Sequence, residues 1–216
     1  MTVAEAEAVV PSYPVNLVVD GRPCLVVGGG RVAARKVAGL RASGARVHVL
    51  APSVDAALKD APGVTWEERA YRTGDAAGYR LVIAATDDRA VNGDVAADAE
   101  RQGVWVNSAD DPERCSFTLP SVVRRGPLMV SVSTSGRSPA VARWLRERLD
   151  EEIGPEYEVL LDLVASERDA MKAVGRSTED VDWRAALDSD MLELIRSGQV
   201  TRARERLQAC LSSSSA

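Results

Sequence analysis

The feature that most constrains the fold is the segment 23–36, in which an apolar run leads into three glycines and then into helix-forming residues. Gly28, Gly30 and Ala33 match the G-x-G-x-x-G/A spacing of dinucleotide-binding turns. Gly28 allows a tight turn, Gly30 has no Cβ to block a pyrophosphate, and Ala33 lets the helix pack closely on its strand. The helix N-terminus would then bind the phosphates. Because strand and helix both flank the glycines, the pattern favours a nucleotide-binding turn over a purely structural one.

Composition narrows the class of protein. Of the 216 residues, 45% are hydrophobic and 27% are charged, which predicts a packed α/β domain with an appendage. The net charge of −5 argues against nucleic acid or an anionic membrane as the main partner. The sequence has no long apolar run, and Glu5 and Glu7 stand where a signal peptide is basic, so a cytoplasmic location is expected.

The cysteines and the single histidine exclude some kinds of chemistry. Cys24, Cys115 and Cys210 lie far apart without C-x-x-C spacing, which predicts reduced thiols and no metal site made of protein ligands. His48 lies in an apolar run, where it is expected to pack within a strand. A catalytic triad based on histidine is not predicted.

Strands and helices alternate after the glycine turn, which predicts a right-handed, doubly wound parallel sheet of the Rossmann type. Ligands of such sheets bind beyond the carboxyl ends of the strands. The loops 28–31, 86–92 and 107–116 should therefore converge there. The expected strands are 15–19, 24–27, 46–50, 64–67, 81–86 and 104–107, and the expected helices are 31–43, 54–63 and 87–102.

The second strand ends in Ala51-Pro52-Ser53, without the acidic residue that usually binds the ribose hydroxyls. Ser53 is a candidate hydrogen-bond partner of ribose or phosphate. Because no arginine follows the strand to bind a 2′-phosphate, NAD is favoured over NADP.

The alternation stops after residue 116. Two strand-like runs, 116–123 and 128–134, predict an antiparallel pair, and Ser138-Pro139 predicts the start of a helix over 139–152. Gly154-Pro155 interrupts the helices, and periodicity predicts further helices over 156–211 with a disordered tail at 212–215. The expected domains are 1–116 for NAD binding, 117–153 for dimerisation and 154–216 as a helical domain.

Several motifs resemble those of the N-terminal half of siroheme synthases, the family of the precorrin-2 dehydrogenases, some of which are also sirohydrochlorin ferrochelatases. The resemblance covers about residues 13–150; from 155 onward it rests on helical character alone. The motifs are 26–36, 84–88 with Val91-Asn92, 107–112, 117–121, 127–130 and 133–139.

The resemblance implies NAD-dependent oxidation of precorrin-2 to sirohydrochlorin by an intertwined homodimer. It further implies that insertion of Fe²⁺ or Co²⁺ into sirohydrochlorin is a candidate second activity. Bifunctional siroheme synthases continue into a methyltransferase domain, which is not expected in these 216 residues.

Asp110 is the candidate catalytic residue. The oxidation releases a proton, and without a usable histidine a carboxylate near the nicotinamide is the simplest acceptor. Asp110-Asp111-Pro112 also has the composition of a turn, and the residues alone leave both interpretations open. The resemblance places the family's essential aspartate at Asp110, while Asp111 is expected to serve the turn.

The other expected site residues form two groups, and no metal ligand is among them. Arginine suits the second group because it binds carboxylates bidentately, and the substrate carries eight of them. The cofactor group is Gly28, Gly30, Arg31, Val32, Ala33, Pro52, Ser53, Thr86 and Asn92, and the substrate group is Arg114, Thr134, Ser135 and Arg137.

Two alternatives to an enzyme are a non-catalytic NAD-sensing regulatory module and a dimerisation protein that keeps only the fold. Asp110 and the loop around Arg137 favour the enzyme, since a sensor needs neither. The intact glycine turn disfavours a protein that has lost cofactor binding.

Overall fold

A computed structural model describes residues 12–109, 111–179 and 181–213. The chain divides into two compact units, of which the first ends at Leu119 and the second begins at Pro120. Each unit has a hydrophobic core of its own.

The first unit is a parallel sheet of five strands in the order β3-β2-β1-β4-β5, which confirms the predicted doubly wound fold. β1 takes the centre because its residues from Cys24 to Val27 are apolar and buried, as a strand covered on both faces requires. The elements are β1 (Pro23–Val27), α1 (Arg31–Arg41), β2 (Arg46–Ala51), α2 (Ala56–Lys59), β3 (Val64–Glu68), β4 (Leu81–Ala84), α3 (Arg89–Arg101) and β5 (Trp105–Ser108), followed by a 3₁₀ turn, Pro112–Arg114.

The strands end at a common edge. Val27 is in register with Leu50 of β2 and with Ala84 of β4, and Ala84 is in register with Ser108 of β5. The strand order reverses between β1 and β4, which is where open α/β sheets bind ligands. The loops that follow β1, β4 and β5 therefore leave the sheet side by side.

The predicted strand at 15–19 is wrong. Residues 12–19 have no regular structure, and Tyr13 and Val18 are exposed. Only Val19 is buried in the core, with Leu17 packed against it. The alternation of apolar residues is a local signal, whereas a strand needs a neighbouring strand for its backbone groups, and the described sheet places none beside this segment.

A buried carboxylate attaches the loop between β3 and β4 to helix α3. Asp98 is 2% exposed. Its Oδ2 accepts hydrogen bonds from Tyr71 Oη at 2.6 Å and from the backbone N of Gly74 at 2.7 Å, and Gln102 Nε2 donates to Oδ1 at 3.1 Å. Burial alone would raise the pKa of Asp98, but these hydrogen bonds lower it to about 2.

We expect Asp98→Ala to lower the free energy of unfolding by about 3 kcal/mol, because it leaves buried donors unpaired. The pKa of Asp98 in the folded protein lies below the ordinary value of 3.8. The stabilisation is therefore fully present above about pH 4 and is lost as the pH falls towards about 2. Urea denaturation of wild type and variant measures both effects. If wild type and Asp98→Ala differed in free energy of unfolding by the same amount at about pH 7 and at about pH 3, this account would be contradicted.

The second unit contains an antiparallel pair, β6 (Ser121–Arg125) with β7 (Leu128–Val132), and the helix α4 (Pro139–Glu152). As predicted, Ser138 caps α4, accepting a hydrogen bond from the backbone N of Val141 at 3.2 Å, and Pro139 is its first residue. The remaining helices are α5 (Glu156–Ala173), α6 (Trp183–Leu187), α7 (Met191–Arg196) and α8 (Val200–Ser213).

Helix α8 extends through Ser213, so the first two residues of the expected disordered tail are helical. The rest of that tail lies outside the described residues. Within the described part of the chain, no helix combines the length and the apolar character needed to cross a membrane.

Candidate functional site

The glycine turn after β1 is shaped by close backbone contacts. Gly28 has a φ of 132°, and a Cβ there would lie 2.4 Å from the carbonyl O of Ala85. A Cβ at Gly29 would lie 1.9 Å from the carbonyl O of Ser53, a requirement that the sequence motif does not include. The one sequence signal for it is that all three positions of the turn are glycine.

Gly30 differs from its two neighbours because its own side of the turn is open. Its φ of −99° suits any residue. A Cβ there would meet no described atom within 4 Å. The turn thus leaves space next to bare backbone, at the point where α1 begins. This is the geometry that a pyrophosphate needs.

The first turn of α1 faces this space. Gly30 is the N-cap and supplies no side-chain acceptor, so the first N–H groups of the helix remain available to an anion. Arg31 is exposed, Val32 is 40% exposed, and Ala33 is fully buried against the sheet, as its place in the motif predicts.

The end of β2 borders the same turn. Pro52 and Ser53 are exposed, and the backbone N of Asp55 donates to the carbonyl O of Gly29 at 2.9 Å. The structure therefore brings the expected residues Pro52 and Ser53 next to the glycines.

Thr86 and Asn92 are joined in the loop after β4. Asn92 is 3% exposed. Its Oδ1 accepts from Thr86 N at 3.2 Å and from Thr86 Oγ1 at 2.8 Å, and its Nδ2 donates to the carbonyl O of Thr86 at 3.0 Å. These bonds join the buried Asn92 to Thr86 and hold the start of the loop that follows β4.

The loop after β5 is held by Cys115, for which the sequence predicted only a reduced thiol. Cys115 Sγ accepts from Ser108 N at 3.2 Å and lies 3.3 Å from the carbonyl O atoms of Ser108 and Asp111, to one of which its S–H donates. Ser116 continues the contact along β5, where its backbone N donates to the carbonyl O of Val106 at 2.9 Å. These bonds hold both ends of the loop that contains Asp110.

Asp110 itself lies outside the described residues. The neighbouring Asp111 forms an ion pair with Arg114, whose Nε lies 3.3 Å from Asp111 Oδ2, and Arg89 Nη2 lies 3.8 Å from the same oxygen. Asp111 therefore contacts two arginines as well as forming part of the turn. With Asn92 and Ser108, Arg89 and Asp111 line a small pocket at the carboxyl ends of β4 and β5.

The other expected substrate residues belong to the second unit, in the loop between β7 and α4. Thr134 Oγ1 accepts from Ser138 N at 3.2 Å. Ser135 has a φ of 51°, in the left-handed region that non-glycine residues rarely adopt. Arg137 is exposed. Across the described residues, no three His, Cys, Asp or Glu side chains come together as a metal site.

Two family models match the chain. Residues 15–121 match a putative NAD(P)-binding domain, and residues 125–152 match the central part of a sirohaem biosynthesis protein. The first match contains the whole of the parallel sheet, and the second contains β7 and α4.

Curated relatives and a solved structure agree with these models. The chain is 41% identical to a siroheme synthase of Nitrosococcus oceani over 203 residues, which is 92% of this chain and 43% of the relative. A siroheme synthase of Thioalkalivibrio sulfidiphilus is 40% identical over 204 residues, 92% of this chain and 42% of the relative. The chain thus spans less than half the length of these relatives. A solved structure titled "SirC, precorrin-2 dehydrogenase" superposes with a TM-score of 0.71 at 27% identity, covering 92% of this chain and 98% of that one.

Proposed function

Because the chain belongs to the family of the siroheme synthases and precorrin-2 dehydrogenases, we propose that it oxidises precorrin-2 to sirohydrochlorin with NAD. The likeness to the precorrin-2 dehydrogenase structure supports this most directly, because it extends over 98% of that chain. The siroheme synthases are longer, and the chain aligns with only 43% and 42% of the two relatives described above.

The residues around the glycine turn fit a dinucleotide. The open side of Gly30 and the uncapped start of α1 suit a pyrophosphate, and Pro52 and Ser53 border the position expected for ribose. When bound, NAD accepts a hydride from the substrate. The protein's part in that step is to hold the cofactor and the substrate in one orientation, for which the loop 86–88 is fixed by Asn92.

The oxidation also releases a proton, which we assign to the carboxylate of Asp110. This assignment rests on the family resemblance and on the sequence, in which Asp110 follows the last residue of β5, Ser108, by two positions. We assign the carboxylates of the substrate to Arg114, Thr134, Ser135 and Arg137, because the arginines and Ser135 are exposed and can donate hydrogen bonds to carboxylates. Thr134 is half-buried, and its hydroxyl donates to the carbonyl O of Ser138 at 3.2 Å, so its part is to shape the loop that carries Ser135 and Arg137.

Metal insertion into sirohydrochlorin is the second candidate activity, favoured by the identity to siroheme synthases. In it Fe²⁺ or Co²⁺ would be a substrate, and Asp110 would accept the pyrrole protons. The described residues form no resident metal site for it to use.

A coupled assay tests the proposed function. Purified protein is mixed with NAD and precorrin-2, and the absorbances of sirohydrochlorin and NADH should rise together in equal amounts. NAD binding without turnover would favour the regulatory alternative. Protein that binds no NAD would contradict the cofactor assignment as well. A second mixture with sirohydrochlorin and Fe²⁺ or Co²⁺ measures metal insertion.

We further propose that the chain has three parts: residues 1–116 bind NAD, residues 117–153 form the homodimer interface, and residues 154–216 are a helical domain. Helix α4 supports this, because Val141 is 45% exposed and Trp144 is 53% exposed on a helix that otherwise carries many charges. An exposed tryptophan is typical of a surface that binds a partner. A cytoplasmic location stays a prediction.

We expect Trp144→Glu to convert a dimer into a monomer, because it places a charge in an apolar interface. Light scattering coupled to size exclusion measures the mass of wild type and variant. Ala165→Glu, at an exposed position of α5 outside residues 117–153, serves as the control for added negative charge and should leave the dimer intact. A wild type that is monomeric at every concentration tested would contradict the interface.

A further inference from the structure

Arg114 lies against helix α3 at Gly93, where any larger residue would displace its guanidinium group. Gly93 is in the interior of α3, and a Cβ there would lie 1.7 Å from Arg114 Nη1 and 2.9 Å from its Cζ. Glycine in the interior of a helix is unfavourable by about 1 kcal/mol relative to alanine. Helix α3 therefore has a glycine where the guanidinium group of Arg114 packs on the helix backbone.

Asp111 fixes the same guanidinium from the other side. Its Oδ2 lies 3.3 Å from Arg114 Nε as an ion pair, and the Asp111 side chain is 20% exposed, whereas that of Arg114 is 48% exposed. Arg114 is therefore held by Nε and by its contact with Gly93, while about half of the side chain faces solvent. A guanidinium held in this way keeps donors for a second carboxylate.

Arg89 approaches the same oxygen of Asp111 from the first turn of α3. Its Nη2 lies 3.8 Å from Asp111 Oδ2, beyond hydrogen-bond distance, and its side chain is 82% exposed. Two guanidinium groups thus meet at one carboxylate, so these three side chains together carry one positive charge. The neighbouring Asp88 is directed to the helix, where its Oδ1 accepts from Ala90 N and Val91 N.

We propose that Arg89 and Arg114 together bind one carboxylate of the tetrapyrrole substrate, with Asp111 positioning both arginines and Gly93 leaving room for Arg114. The inference rests on the proposed function for the identity of the ligand. It adds Arg89 to the substrate site and assigns Asp111 a positioning role.

The test compares Arg89→Ala and Arg114→Ala with Arg41→Ala, which removes the same charge from an exposed position in the last turn of α1. We expect the KM for precorrin-2 to rise about tenfold in each of the first two variants, with kcat changed less than about twofold, because a charge-assisted hydrogen bond to the substrate is lost. Arg41→Ala should keep the wild-type KM. The KM of Arg89→Lys should lie between those of wild type and Arg89→Ala, since lysine retains the charge but lacks the planar guanidinium group.

Gly93→Ala separates positioning from folding. The new methyl group displaces the flexible end of Arg114, and alanine favours the helix, so the melting temperature should stay the same or rise. The KM should nevertheless increase to about the level of Arg114→Ala. In the double variant Gly93→Ala/Arg114→Ala the two effects should not add, because both remove the same contact. Full additivity would contradict the positioning role.

A binding titration with sirohydrochlorin in the absence of NAD distinguishes this inference from the proposed function. If wild type binds sirohydrochlorin more tightly than Arg89→Ala and Arg114→Ala but does not oxidise precorrin-2, the subsite stands and the dehydrogenase assignment fails. If wild type turns over and both variants keep its KM and its affinity, the subsite is wrong and the function stands. A wild type that neither binds sirohydrochlorin nor turns over contradicts both.

Discussion

Asp110→Asn is expected to lower kcat for precorrin-2 oxidation by a factor of about 10²–10⁴ while NAD binds with unchanged affinity. Asparagine keeps the size of the side chain and its capacity for turn hydrogen bonds, but it cannot accept the substrate proton at neutral pH. The cofactor loops after β1 and β4 do not include residue 110, so the affinity for NAD should not change.

Stopped-time assays of sirohydrochlorin formation measure kcat. A fluorescence titration with NADH measures the affinity for the cofactor. Asp60→Asn, at an exposed position after α2, is the matched control for the loss of one carboxylate. If Asp110→Asn retained more than about a tenth of the wild-type kcat, another group would accept the proton. Residue 110 would then serve the turn that its sequence also indicates.

The second large effect is expected at the glycine turn, where two neighbouring residues should respond in opposite ways. Gly30→Val should fold normally and lose NAD affinity by at least about a hundredfold, because its side chain fills the space left for the pyrophosphate. Gly29→Ala should instead lower the free energy of unfolding by about 1–3 kcal/mol, since its Cβ would overlap with the carbonyl O of Ser53.

Thermal melting with and without NAD measures both properties in one experiment. Wild type should gain stability as NAD is added, whereas Gly30→Val should start at the wild-type melting temperature and gain none. A Gly30→Val protein that NAD still stabilises would mean that the cofactor does not approach this turn. Gly39→Val, in the last turn of α1 where a Cβ has open space around it, controls for the loss of a glycine elsewhere in the unit.

The parallel sheet could be predicted from the sequence because each of its signals is local. The continuous apolar strand at Leu81–Ala84, the glycine turn and the left-handed Gly44, with a φ of 77°, all follow from neighbouring residues. The cap at Ser138 is equally local. In each case the physical cause lies within one element or one turn.

Contacts between distant segments could not be predicted in this way. The packing of Arg114 on Gly93 joins residues from a helix and a later turn, and no pattern in either segment indicates it. The sequence around Cys115 likewise does not indicate that its sulfur holds the loop after β5. The resemblance implied a role for Arg114, but how that side chain is oriented became visible only in three dimensions.

The segment that follows β5 also has a consequence for solubility. β5 is an edge strand of the sheet, and an unpaired edge can recruit strands from other molecules and start aggregation. Here Ser116 occupies both backbone groups of Val106, and Asn107 Nδ2 donates to the carbonyl O of Phe117 at 3.0 Å. Since the same loop holds Arg114, variants that loosen it should both weaken substrate binding and expose a strand edge, so impaired activity and precipitation should appear together.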